Sequence, residues 1–149
     1  MMLDDQQIKE AMAVSAGMMT FVDDAIGDVM PGLQDAGLYE DTVVCFNSDH
    51  EDYMGDYNMI LKGALQYRSI TQVPFIWSDP DTRRSGATDA LSSTVAIAAT
   101  ILDRAGLAPF NGNQGQSFLP ATQGADWPRE DALIEYNDGG QRLGFAEPA

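Results

Sequence analysis

The sequence predicts an α/β domain with a small, mostly parallel sheet flanked by helices, and three observations carry that expectation. Three apolar runs, Thr42-Val43-Val44-Cys45-Phe46, Val73-Pro74-Phe75-Ile76-Trp77 and Ala132-Leu133-Ile134-Glu135-Tyr136, have the length and the β-branched or aromatic content of strands. The first lacks polar alternation altogether, as a strand buried on both faces does. Stretches of helical periodicity precede and separate these runs, and no repeat, low-complexity tract or long linker divides the 149 residues. That length suits a single domain burying roughly 70% of its unfolded surface.

The elements follow in order. From Asp5 to Gly37, Ile8, Met12, Met19, Val22, Ile26, Met30 and Leu33 recur at steps of three, four or seven, one face of an amphipathic helix with Gly37 as its C-cap. Pro31 lacks an N–H and its ring crowds the preceding turn, so a kink or a stop is expected near Met30. The Met-rich face reads as core packing, and Asp23 and Asp24 as solvated or structural. After the first strand, residues 56 to 71 read as loop and short helix anchored by Tyr57, Met59, Ile60, Leu61, Leu65 and Tyr67. Pro74 is acceptable near the start of the second strand, where a ladder donor is not required. Residues 78 to 90, with Arg83 and Arg84, form a polar surface loop. Ser92 or Ser93 caps a helix that runs through Ala105 with Val95, Ala98, Ile101, Leu102 and Ala105 inward, and Gly106 ends it. Beyond the third strand, residues 137 to 149 are expected to fray.

Eight basic against 23 acidic residues give a formal charge of −15. Such a chain does not bind the phosphate backbone of nucleic acid or an anionic membrane surface by electrostatics, and it suits cations. A lone cysteine excludes an internal disulfide, and no apolar stretch approaches the roughly 20 residues of a membrane span. The opening Met-Met-Leu-Asp-Asp lacks the basic flank of a secretory signal, so the cytoplasm is the default expectation.

Chemistry concentrates just past the first strand, in Asn47-Ser48-Asp49-His50, where the chain places its single imidazole beside a carboxylate at a strand's carboxyl end. Glu51, Asp52 and Asp56 add carboxylates around Gly55, and the next cation is Lys62. Read singly, Asp49 is a turn aspartate and His50 a satisfied histidine. Read together, SDHEDYMGDYNMILKG resembles the segment of the sulfatase family, within the alkaline-phosphatase-like superfamily, that commonly runs S-D-H-G-D-x-x-G-D-H-x-x-x-x-K-G. Val73-Pro74-Phe75-Ile76-Trp77 is similar to that family's V-P-x-I-W strand. The stretch SSTVAIAATILDRAGL resembles its following helix, with Ala96 and Ala99 in place of the usual Asp and Pro, and Gly115-Gln116-Ser117-Phe118-Leu119-Pro120 matches its G-x-S-L-L-P turn. The resemblance covers about residues 8 to 136 and corresponds to the later part of a sulfatase catalytic domain.

That resemblance implies a partial sulfatase fold and a metal-dependent hydrolase of sulfate monoesters, with a small-molecule sulfate or phosphonate ester as its partner. It implies Asp49 and His50 as ligands of a divalent cation, Ca²⁺ first and Mg²⁺ or Mn²⁺ as alternatives, and Lys62 with His50 as catalytic groups that contact the transferring oxygens. The family's nucleophile is a formylglycine made within C/S-x-P-x-R, and this sequence contains no such motif. Phe46-Asn47-Ser48 follow Cys45 where Pro and Arg would be needed, so Cys45 reads as a structural thiol. Two metal-ligand aspartates of the family's first strand are also absent. Glu51 stands where the family has glycine, which strains the backbone if φ is positive there, and Tyr57 replaces the second histidine. The chain is therefore expected to pair with an upstream half or to self-associate. The alternatives are a phosphonate or phosphate ester hydrolase of the same superfamily and a noncatalytic acidic fragment.

Overall fold

The computed structural model describes residues 3–82 and 85–135. Arg83, Arg84, Tyr136 and the expected frayed tail at 137–149 lie outside the described residues. Helix α1 (Asp5–Asp35) comes first, then a 3₁₀ turn (Tyr39–Asp41), strand β1 (Val44–Asn47), a second 3₁₀ turn (Asp56–Asn58), helix α2 (Arg68–Thr71), strand β2 (Phe75–Ser78), helix α3 (Ala96–Arg104) and helix α4 (Leu119–Thr122).

Helix α1 starts at a capping box. The Asp4 carboxylate accepts the Gln7 N–H at 2.9 Å while the Gln7 amide oxygen accepts the Asp4 N–H at 3.1 Å. The helix runs on through Pro31 to Asp35 instead of stopping near Met30. The residue four places before the proline is Gly27 and the one after it is Gly32, where the backbone adjusts most readily around the ring. Gly37, at φ 69°, ends it as expected, with the Leu38 N–H returning to the Leu33 carbonyl at 3.1 Å. Ile8, Ile26, Met30 and Leu33 of the predicted apolar face are half-buried, and no residue of the 31 is fully buried. Met12, Met19 and Val22 of that face remain exposed, as do Val14, Met18, Phe21 and Val29 outside it.

Among the described residues the sheet has two strands, and they are antiparallel, with Cys45 opposite Trp77 and Asn47 opposite Phe75. This corrects the expectation of a mostly parallel sheet. Parallel pairing needs a crossover that carries the chain back to the far end of the sheet. Residues 48–74 instead make a loop and one short helix, and return beside the end of β1 that they left. The third predicted strand does not form within its described residues 132–135, where Leu133 and Ile134 are exposed. The apolar run is there, but among the described residues no neighbouring strand meets it. β1 is half-buried rather than covered on both faces.

The tightest packing surrounds α3. Its buried residues are Ala96, Ala99 and Thr100, whereas Val95 and Ile101, expected inward, are exposed. The helix turns its small residues towards the incoming 115–118 segment, because a Cβ on Gly115 would stand 2.1 Å from the Val95 carbonyl oxygen, a gap only glycine can occupy. Thr100 donates to the Ala96 carbonyl at 2.8 Å and accepts the Phe118 N–H at 3.0 Å. Phe118 then presents its ring to the edges of Phe75 and Trp77, with centroids 4.8 and 5.7 Å apart, tying α3 to β2. No serine side chain caps α3, which begins after a turn closed by the Ala96 N–H on the Ser93 carbonyl. Gly106 ends it as predicted. Below β2, the buried Asp79 carboxylate is gripped by the Arg104 guanidinium through two hydrogen bonds of 2.5 and 2.9 Å, and Asp81 takes a third at 2.5 Å. The Arg104 hydrogen bonds hold the Asp79 carboxyl below its ordinary range, against the opposing effect of burial. Among the described residues no helix is long and apolar enough to cross a membrane.

Candidate active site

β1 ends at Asn47 because the next residues spend their polar groups on one another. The Ser48 hydroxyl donates to the His50 carbonyl at 2.8 Å, and the His50 N–H donates to the Asp49 carboxylate at 3.0 Å, so the chain turns instead of continuing the ladder. The Glu51 N–H then reaches the Ile70 carbonyl at 3.2 Å, pinning the loop to α2. The turn leaves Asp49 almost wholly solvated, its side chain 85% exposed, beside a His50 side chain that is 40% exposed.

Lys62 returns to this turn from twelve residues away, its Nζ 3.2 Å from His50 Nε2. An ammonium has only donors, so Nε2 must be the acceptor and the ring is neutral with its proton on Nδ1. Nδ1 is buried and, among the described residues, has no hydrogen-bond partner. Asp49 Oδ2 also approaches Nε2, at 3.5 Å, but an ion pair there needs a proton on the nitrogen that Lys62 already occupies. The shorter contact decides the matter, since 3.5 Å is beyond a normal N–H···O bond. All three residues singled out in the sequence, Asp49, His50 and Lys62, therefore meet at one turn.

The backbone that brings Lys62 there is strained. Met54, Tyr57, Asn58 and Leu61 all have positive φ, between 51° and 62°, conformations that L-residues adopt at a cost. Glu51 is not among them, so the strain expected at that position falls further along the loop. Gly55 does need its freedom: its φ is 101°, and a Cβ there would stand 2.6 Å from Ile8 Cγ2, the point where α1 rests on the loop. Tyr57, in place of the family's histidine, stacks on Tyr67 with centroids 4.3 Å apart. It is mostly exposed, as are Leu61 and Leu65, so three of the expected anchors do not anchor. The buried residues of this region are Tyr53 and Ile70, which the sequence reading passed over. The available signal was the aromatic residue lying between Asp49-His50 and Lys62.

As a cation site the turn fits in part. Asp49 offers an exposed, hard carboxylate oxygen, while His50 Nε2 is engaged by Lys62. Among the described residues no group of three or more His, Cys, Asp or Glu side chains gathers to hold an ion. Ca²⁺ takes roughly six to eight oxygen ligands, so most of a coordination shell would come from elsewhere. Cys45 lies mid-strand opposite Trp77, and burial pushes its thiol up from the ordinary value, the reverse of what an activated nucleophile needs. A hollow of about 460 Å³, lined by Gln114, Gln116, Pro128, Arg129, Glu130 and Asp131, contains none of the three site residues.

Comparison with known proteins follows the same lines. The family profile described as Sulfatase matches residues 3–107. The multifunctional alkaline phosphatase superfamily protein PehA of Trinickia caryophylli is 29% identical over 133 residues, covering 86% of this chain and 26% of that protein. An arylsulfatase of Clostridium perfringens is 31% identical over 120 residues, covering 78% and 25%. The phosphonate monoester hydrolase from Silicibacter pomeroyi superposes with a TM-score of 0.78 at 28% identity, over 87% of this chain and 25% of that one. The chain thus spans about a quarter of the length of these relatives, and its helices and small sheet are a partial alkaline-phosphatase-like α/β fold.

Proposed function

The chain belongs to the sulfatase family, and from that premise we propose that it is the later portion of a metal-dependent hydrolase of sulfate monoesters, acting with a portion that supplies the nucleophile. The observation that carries this reading is the 3.2 Å approach of Lys62 Nζ to His50 Nε2 at the end of β1. Hydrolysis of a sulfate monoester builds negative charge on the leaving oxygen while the nonbridging oxygens stay anionic, so a fixed cation with spare donors is what the site must offer. His50 accepts one of the three ammonium hydrogens, which orients Lys62 and leaves two for the sulfuryl oxygens. A divalent cation, Ca²⁺ ahead of Mg²⁺ or Mn²⁺, would be held by Asp49 with His50 beside it, completed by ligands from outside the chain, and supplies Lewis-acid stabilisation of the same charge. Nothing among these groups attacks the ester, and the formylglycine nucleophile belongs to the portion that this chain lacks.

The exposed apolar residues of α1 and the outer edges of the two-stranded sheet, unpaired among the described residues, support pairing with such a portion, since uncovered faces of this kind invite a partner. A second reading, hydrolysis of phosphonate or phosphate esters, is favoured by the likeness to the phosphonate monoester hydrolase. Lys62 acts as a point charge and does not by itself tell a sulfuryl from a phosphoryl group.

The test is a chimera in which this chain replaces the matched quarter of the Silicibacter pomeroyi enzyme, assayed with a chromogenic aryl sulfate and a chromogenic phosphonate monoester. Turnover is expected in the chimera and not in the chain alone, and Lys62→Ala should lower kcat by about 10²-fold or more, as losing an oxyanion donor does. A folded chimera with no turnover of either ester, or one indifferent to Lys62→Ala, overturns the proposal. The preferred ester decides between the two readings.

A further inference from the structure

Lys62 is exposed and sits in a strained loop, so something must fix its direction. We propose that Tyr53 is the positioning residue that holds Lys62 against His50. Tyr53 lies three residues after His50 and nine before Lys62, and it is buried, 4% exposed, within a loop whose surface faces solvent. It grips the Lys62 segment on both sides. Its backbone N–H donates to the Leu61 carbonyl at 2.7 Å. Its hydroxyl accepts the Leu65 N–H and donates to the Leu65 carbonyl, both at 3.1 Å. Between these anchors the backbone of Gly63 passes so close that a Cβ there would stand 3.1 Å from the phenol oxygen. Tyr67 backs the ring edge-on, with centroids 6.1 Å apart.

The geometry of this clamp accounts for the conformation of Leu61. A left-handed leucine persists only where its surroundings over-determine it, and the bond from the Tyr53 N–H to Leu61 is such a constraint on the residue immediately before Lys62. Without the phenol, the 61–65 segment loses two hydrogen bonds that close a buried polar group, and the strain at Leu61 favours its release. Lys62 then samples solvent and leaves Nε2 of His50. The inference rests on the reading of Lys62 and His50 as a functional pair and adds the group that builds that pair.

The chain's single histidine makes the test direct. Nitrogen-15 spectra of the imidazole ring are recorded on the whole chain at a fixed pH of about 8.5, where an ordinary imidazole is neutral. The wild type is compared with Lys62→Ala, Tyr53→Phe and Gly63→Ala, with Tm measured for each. Lys62→Ala defines the Nε2 resonance of a ring without its ammonium partner. Tyr53→Phe, which removes only the hydroxyl, should move Nε2 at least halfway to that position. Gly63→Ala keeps the phenol but wedges a methyl against it, and should move Nε2 the same way even if Tyr53→Phe does not fold. If both substitutions lower Tm and leave Nε2 at its wild-type position, Tyr53 is a stabilising residue only and the proposal falls while the pair stands. If Lys62→Ala itself leaves Nε2 unmoved, the pair is absent in solution and both readings fall together.

Discussion

Two regions of this small protein solve opposite problems. Around α3 the chain is closed: alanines and a threonine are packed against a glycine, Phe118 locks the helix to β2, and an ion pair sits beneath. In the loop from Ser48 to Gly63 the chain is open, four non-glycine residues hold left-handed backbone, and Asp49, Asp56, Asn58 and Lys62 are exposed. The difference teaches that stability and chemistry are held in separate places, with strain concentrated where the candidate chemistry lies.

The comparison breaks if the closed region proves soft or the open one unstrained. Gly115→Ala carries the largest expected effect, because its Cβ would meet the Val95 carbonyl, and backbone cannot give way as a flexible side chain does. It should cost about 3 kcal/mol or more, read as a drop in the urea midpoint. A change near zero would mean that the α3 unit is loosely packed.

Acid offers a second probe of the closed region. The folded-state pKa of Asp79 is depressed, so its contribution is complete above the unfolded carboxyl value of about 3.9 and is lost as pH falls through the lower folded value. The Tm advantage of wild type over Asp79→Asn should therefore hold from pH 7 to about 5 and shrink below about pH 4. The general fall in negative charge on acidification acts on both proteins and cancels in the comparison. An advantage independent of pH would remove the ion pair from the account.

The smallest effect has the opposite sign and lies in the open loop. Leu61→Gly relieves a left-handed leucine at roughly 1–2 kcal/mol, offset in part by the greater chain entropy of glycine when unfolded. The net gain should be about 0.5 kcal/mol, seen as a slight rise in Tm. A loss instead would show that the leucine side chain contributes packing.

The sequence made some of this legible and hid the rest for identifiable reasons. Strands at 44–47 and 75–78, the long helix and its glycine stop were readable because β-branched runs, periodicity and capping are local properties. Their antiparallel pairing depends on where residues 48–74 return, which is not local. The run at 132–135 has strand chemistry and, among the described residues, no partner strand. Helix α3 misled because large apolar residues usually mark the inward face, whereas here the close approach of Gly115 selects the alanines. The meeting of Asp49, His50 and Lys62 was legible through the resemblance, as a spacing. Tyr53 was not, because only the folded loop shows that one residue holds both flanks of Lys62, Leu61 through its backbone N–H and Leu65 through its phenol.

Cys45 gives the two-stranded sheet a clock. It is the protein's one thiol, it lies in the middle of β1 opposite Trp77, and burial disfavours the thiolate, the form that attacks electrophiles. Cys45 is only half-buried, so a thiol reagent reacts slowly in the folded state and faster through openings of the strand pair, and the excess rate counts those openings. Because β1 runs directly into Ser48 and Asp49, those same openings set how long the turn bearing His50 keeps its shape between one fluctuation and the next.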